Sequence, residues 1–229
     1  MSEDKQNLIE KERESAPKIV YTVTEEWLNR ITHIVGGLLA IAFAVLTIRK
    51  LNSSPVTIGQ KTVCILFAVV MVLFFLFSVL HHFQPIGKRR LMMKKISRCA
   101  SSAFAVCSFL PLMTFTVFPQ STAWGIALAS AVTVLAIAGV TINAVNLNKY
   151  KMACLVTYIL MALCFVIRVD LLAKNKYAFV FYLVGTLVYA VGVVFYRLTK
   201  MKGHHAVWHL LALIASSLHS IAIYFYLIP

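Results

Sequence analysis

Thr62-Val-Cys-Ile-Leu-Phe-Ala-Val-Val-Met-Val-Leu-Phe-Phe-Leu-Phe-Ser78-Val-Leu-His81-His82-Phe83 holds 22 residues without one formal charge. A helix of about 20 apolar residues spans the ~30 Å hydrocarbon core of a bilayer. The run is continuous rather than alternating, which excludes a lipid-facing β-strand. It also ends on three polar side chains, Ser78, His81 and His82, which a purely lipid-facing helix has no use for.

Six further apolar runs flank it, at about 31–49, 98–118, 123–145, 152–172, 177–196 and 205–228. The connections are short and carry Pro55 and Gly59, Pro85 and Gly87, Pro119, or Gly203, leaving no room for a second domain. Residues 1–24 read as a polar cytoplasmic tail and 25–229 as the membrane domain. The tail has no cationic start running into a short apolar core, so it is no signal peptide. The expected fold is all-α, a seven-transmembrane helix bundle.

Composition agrees. Of 229 residues, 60% are hydrophobic and 13% charged, against roughly 45–50% and 25% in soluble domains. Mean hydropathy is +0.83. Seven of the eight carboxylates lie in the first 26 residues; the eighth is Asp170. The formal net charge of +14 would suit a nucleic acid, but the cations sit in short clusters between apolar runs, as at a membrane surface. Sixteen Lys and Arg fall on the side of the N-terminus and the second, fourth and sixth loops, against six on the other. The positive-inside rule then puts the N-terminus in the cytoplasm and the C-terminus outside, in a multi-pass protein of the plasma membrane. Cys64, Cys99, Cys107, Cys154 and Cys164 lie in or beside apolar runs without a CxxC spacing and read as small buried side chains.

Six of the seven histidines fall at one depth, the cytoplasmic ends of the first, second and seventh spans: His33, His81, His82, His204, His205 and His209. His219 lies two to three turns further out. His205 and His209 are spaced i, i+4, which sets both imidazoles on one helix face about 6 Å apart along the axis. That spacing suits two ligands of one metal, with a third imidazole from a facing helix. Zn²⁺ accepts neutral imidazole and leaves a fourth position for water. Ser78, one turn before His82, could hydrogen-bond a bound water or a substrate oxygen. The plainer reading of such histidines is contact with headgroups, and His81 and His204 are taken as interfacial neighbours.

Several stretches resemble a known family. Glu25-Glu26-Trp-Leu-Asn29-Arg-Ile-Thr32-His33-Ile-Val-Gly36 resembles the opening signature of the bacterial hemolysin III family. Ser78-Val-Leu-His81-His82 is similar to its second-helix Ser-x-x-x-His. Gly192-Val-Val-Phe-Tyr196 resembles the end of its sixth helix, and His205-Ala-Val-Trp208-His209-Leu with His219 its last-helix signature. The motifs run in order from residue 25 to 225. The same architecture is shared by progestin and adipoQ receptors and, more distantly, alkaline ceramidases. The resemblance implies a seven-helix bundle with zinc near the cytoplasmic side, held by His82, His205 and His209, in a protein that acts on membrane lipids.

The chain departs from the family at one position. Where the family carries an Asp that contacts zinc-bound water and is the presumed general base, this chain reads Lys94-Lys95-Ile96-Ser97. Counting back from Pro111, similar to the family's Thr-Pro corner, also lands on Ser97. Serine orients water but cannot take its proton at neutral pH, and general-base help is worth about 10²–10⁴-fold. Asp170 lies on the far side of the membrane. Glu25 and Glu26 read either as a helix start favoured by its dipole or as partners of a ligand histidine. Asn29, His33 and His219 are taken as packing residues.

The expected function is therefore zinc-dependent hydrolysis of a lipid amide or ester, with Ser78 and Ser97 positioning water and carbonyl. The alternatives are a non-catalytic zinc sensor that lost its base, and a cytolysin. Against the cytolysin stands the lack of a secretion signal or of a segment built to switch from water to membrane. A channel or transporter would need an ionisable path that the outer half does not offer.

Overall fold

A computed structural model describes residues 21–85, 87–147 and 149–229. The chain forms α1 (Val23–Ser53), α2 (Ile58–Phe83), α3 (Lys88–Thr116), α4 (Thr122–Asn146), α5 (Lys151–Ile167), the single turn α6 (Val169–Leu172), α7 (Lys176–Arg197) and α8 (His204–Ile221), which ends in a π-helical stretch, Ala222–Leu227. Among the described residues there is no strand. Six helices are long and apolar enough to cross a bilayer; the apolar α5, at 17 residues, is shorter. The protein is an all-α bundle and a multi-pass membrane protein. Of the polar tail, residues 1–20 lie outside the described residues.

The helices start where short polar residues satisfy their first free N–H groups. Thr22 and Glu25 form a reciprocal capping box on α1, and Thr57 and Gln60 do the same on α2. Ser121 caps α4 and Asn175 caps α7. Gly203, at φ 73°, turns the chain into α8 through the left-handed region that disfavours a side chain. The helices outrun the apolar stretches at their polar ends: α3 begins at Lys88, about three turns before the apolar run. The fifth run, expected to continue to 172, breaks at Arg168 (φ −132°, ψ 50°). There the guanidinium pairs with Asp170 two residues on and lies 4.8 Å from the Trp124 ring.

Helices α1 to α5 pack in chain order, α7 packs on α8, and α8 returns against α1, while α5 meets α7 through Phe165 against Phe179 and Tyr182. The far end is pinned by Lys50 on α1, whose Nζ donates to the carbonyls of Tyr224 and Ile228, each at 2.7 Å. Near the other end, α1 and α2 approach at Gly36, where any side chain would collide with the Phe75 ring. Phe67, Phe75, Leu112, Met113, Met161 and Tyr182 fill the interior.

Candidate metal centre

Four imidazoles converge where α1, α2 and α8 meet. His33 and His209 have ring centroids 4.0 Å apart, His205 and His209 4.2 Å, His82 and His209 5.3 Å, and His82 and His205 5.6 Å. His33, His82 and His209 are each under 10% exposed, and one nitrogen from each lies within 4.8 Å of the others. His205, half-buried at the start of α8, lies beside this group with its ring against His209 and His82.

Hydrogen bonding tests whether this group fits a metal. Among the described residues, both nitrogens of His33, Nδ1 of His205 and Nε2 of His209 are buried without a partner. A buried polar group left unpaired costs on the order of 1–3 kcal/mol. Imidazole lone pairs directed at a common cation remove that cost, and neutral imidazole is a ligand of borderline metals such as zinc. The donor set therefore fits a metal ion.

His82 is the most constrained of the four. Its Nδ1 lies 3.1 Å from Oε2 of Glu26, and its backbone carbonyl accepts from Nε of Arg30 at 3.0 Å. A carboxylate on one ring nitrogen fixes the tautomer with its proton there and frees the other nitrogen's lone pair. The second oxygen of Glu26 is hydrogen-bonded by Arg90 at the start of α3. Glu25 has a different task. It completes the α1 capping box and accepts the backbone N–H of Gly203 at 2.7 Å, which ties the start of α1 to the start of α8. Tyr21 stacks on His205 at 5.0 Å, and burial, followed by nearby Tyr196 and Glu26, holds its phenol well above the ordinary value.

Ser78 and Ser97 meet across α2 and α3 at 2.8 Å, and Ser78 is also 2.8 Å from the carbonyl of Phe74. Beyond them Arg98 donates to the hydroxyl of Tyr196, whose ring is 5.9 Å from that of His205. Arg98 and Tyr196 also line a cavity of about 400 Å³ among α3, α4, α5, α7 and α8.

The fold brings His82 and His209 together with His33, whereas His205, expected as the third ligand, packs its ring against His209 and His82 without joining that nitrogen group; Ser78 and Ser97 contact each other. Sequence reasoning took His33 as packing, although its depth in the first span was the available signal. His81 faces the carbonyl of Arg90 at 3.2 Å. His204, expected at the interface, is 4% exposed, and among the described residues neither of its nitrogens has a partner. His219 lies apart, stacked on Tyr182 at 4.5 Å with Nε2 directed at that residue's carbonyl at 3.2 Å. Asp170 sits at the opposite end of the bundle, exposed, its carboxyl held below the usual range by the hydrogen bonds from Arg168.

Comparison with known proteins gives a consistent result. A family described as Haemolysin-III related matches residues 21–220. The chain is 26% identical over 218 residues to Hemolysin-3 of Bacillus cereus, covering 94% of this chain and 98% of that protein. It is 28% identical over 211 residues to the Hemolysin-3 homolog of Bacillus subtilis (strain 168), covering 90% and 96%.

Proposed function

From the premise that this chain belongs to the Haemolysin-III related family, we propose that it is a zinc-dependent hydrolase of amide or ester bonds in lipids of the plasma membrane. The observation that supports this most is the convergence of unpartnered imidazole nitrogens of His33, His205 and His209 beside His82, whose ring is oriented by a carboxylate. In this reading His82, His205 and His209 hold the ion, and the end carrying Arg90 and Lys94 faces the cytoplasm. His205 takes the third place because it shares a helix face with His209 and borders the Arg98–Tyr196 pair, whereas His33 is enclosed by Phe74 and Phe75.

Zinc supplies polarisation of a carbonyl and a bound water of pKa near 7. The protein's own residues do the rest. Glu26 keeps the proton of His82 on Nδ1, which leaves the lone pair of Nε2 free and would let it serve as a metal ligand. Ser78 and Ser97, sharing one hydrogen bond, orient the water and the substrate oxygen. Glu25, through Gly203, holds the first turn of α8 so that His205 and His209 stay in register with α2.

A second reading is a metal-binding sensor without catalysis. It is favoured by Ser97: among the described residues the carboxylates near the centre are Glu25 and Glu26, and both are already engaged. Zinc content and lipid hydrolysis of the purified protein test both readings. Zinc with turnover supports the hydrolase, and zinc without turnover supports the sensor. Metal retention in His33→Ala with loss in His205→Ala supports the ligand set; the reverse moves the third ligand to His33.

A further inference from the structure

Among the described residues, the cavity beside the histidines is lined by four cations and no carboxylate. Its lining includes Lys94 and Arg98 of α3, Lys151 of α5 and Arg197 of α7. Among the described residues no acid pairs with any of them: Glu26 is taken by Arg90 and His82, Asp170 by Arg168. Arg98 uses one nitrogen on Tyr196 and lies 4.8 Å from its ring centroid. Lys94 and Arg98 are half-buried, while Lys151 and Arg197 are exposed.

The half-buried Lys94 and Arg98 repel each other more than the solvated Lys151 and Arg197 do, and an anion at the mouth of the cavity would relieve that repulsion. The inner part of the same cavity has a different character. Its inner wall is mostly apolar, with the buried Phe104, Phe109 and Met161, interrupted by the hydroxyls of Thr186 and Tyr189, and it extends to His219. A small hydrophilic anion would leave these walls wet, and burying apolar surface against an alkyl chain is favourable. The volume, about 400 Å³, is near the low end of the ~300–1,000 Å³ of small-molecule sites. That admits one alkyl chain rather than two.

We infer that this cavity is a binding site for a single-chain lipid with a phosphate monoester head, the phosphate on Lys94, Arg98, Lys151 and Arg197 and the chain directed inward toward His219. Phosphate suits the group because it offers several charged oxygens, to which Arg presents a planar fork and Lys a point charge. The inference stands on the cavity's charge and walls and does not depend on hydrolysis at the histidine centre.

The test is binding of three probes to the purified full-length protein in uncharged detergent: hexadecyl phosphate, a zwitterionic single-chain phosphocholine lipid, and inorganic phosphate. The variants are Lys151→Gln with Arg197→Gln, and a control pair of equal charge change outside the cavity, Lys95→Gln with Lys149→Gln. Those two lysines contact the Ala144 carbonyl and the Tyr150 ring instead. Hexadecyl phosphate is expected to bind at least about tenfold more tightly than either other probe. It should lose at least about tenfold in the cavity pair and nothing comparable in the control pair. Equal binding of the two lipids, equal loss in both pairs, or inorganic phosphate binding as well as the lipid would overturn the inference. Zinc measured in the same samples keeps the two claims separate. Zinc-free protein that still selects hexadecyl phosphate removes the proposed metal centre but supports the site, and zinc-loaded protein that does not select it does the opposite.

Discussion

Glu26 and His82, 56 residues apart in the chain, meet with Oε2 3.1 Å from Nδ1, and the other oxygen of Glu26 is held by Arg90. Three helices are joined through one carboxylate. The contact decides which nitrogen of His82 is free, and so which way the candidate centre points.

Replacing that carboxylate isolates its effect. Glu26→Gln keeps the size of the side chain but removes the charge facing His82 and Arg90. Removal of a partner of this kind typically lowers metal affinity about 10–100-fold. Titration with a chelator of known affinity should show zinc leaving the variant at correspondingly lower chelator concentration. Unchanged retention would mean that Glu26 serves the helix packing alone.

The latch between α1 and α8 has its own signature. Gly203→Ala places a side chain at φ 73°, at a cost of about 1–2 kcal/mol. Glu25→Ala removes both the capping-box acceptor and the hydrogen bond to the Gly203 N–H. Each should lower the Tm in detergent. Because both act on the start of α8, the double variant should lose less than the sum of the singles. Full additivity would show that the two ends are not coupled.

Ser97 separates an enzyme from a sensor. If the proposed hydrolase lacks only its base, Ser97→Asp should raise lipid amide or ester turnover by about 10²–10⁴-fold. The new carboxylate would also replace the hydroxyl now 2.8 Å from Ser78. An assay with zinc-loaded protein and a fluorescent lipid amide checks it. No gain at full zinc occupancy favours a binding role.

Much of this architecture is legible in the sequence because hydrophobic length is a one-dimensional property. The run from Thr62 to Phe83 can hardly be anything other than a span, and the helix observed there is Ile58–Phe83. Helix ends are less legible. Lys88 to Ser97 is polar and still helical, since a helix leaving the hydrocarbon needs no apolar face. The break at Arg168 depends on pairing with Asp170 and on Trp124 from another helix, which hydropathy does not encode. At the candidate centre, the i, i+4 spacing of His205 and His209 and the depth of His82 were readable. The depth of His33 was readable too, but its contact with the other imidazoles was not, because it depends on how close α1 comes to α2, through Gly36 against Phe75. The burial of His204 and the division of labour between Glu25 and Glu26 likewise follow from tertiary approach. Both acids lie in the first turn of α1, where the helix dipole explains them equally well.

The most direct test of the central claim is the zinc content of the purified protein by elemental mass spectrometry, with His209→Ala measured in parallel. His209 contacts His33, His82 and His205 alike, so its loss should empty the site whichever third imidazole binds. About one zinc per chain in the native protein, and none in the variant, is the expected result. A native protein without zinc after growth and purification in zinc-supplemented medium would contradict the metal centre and the hydrolase built on it.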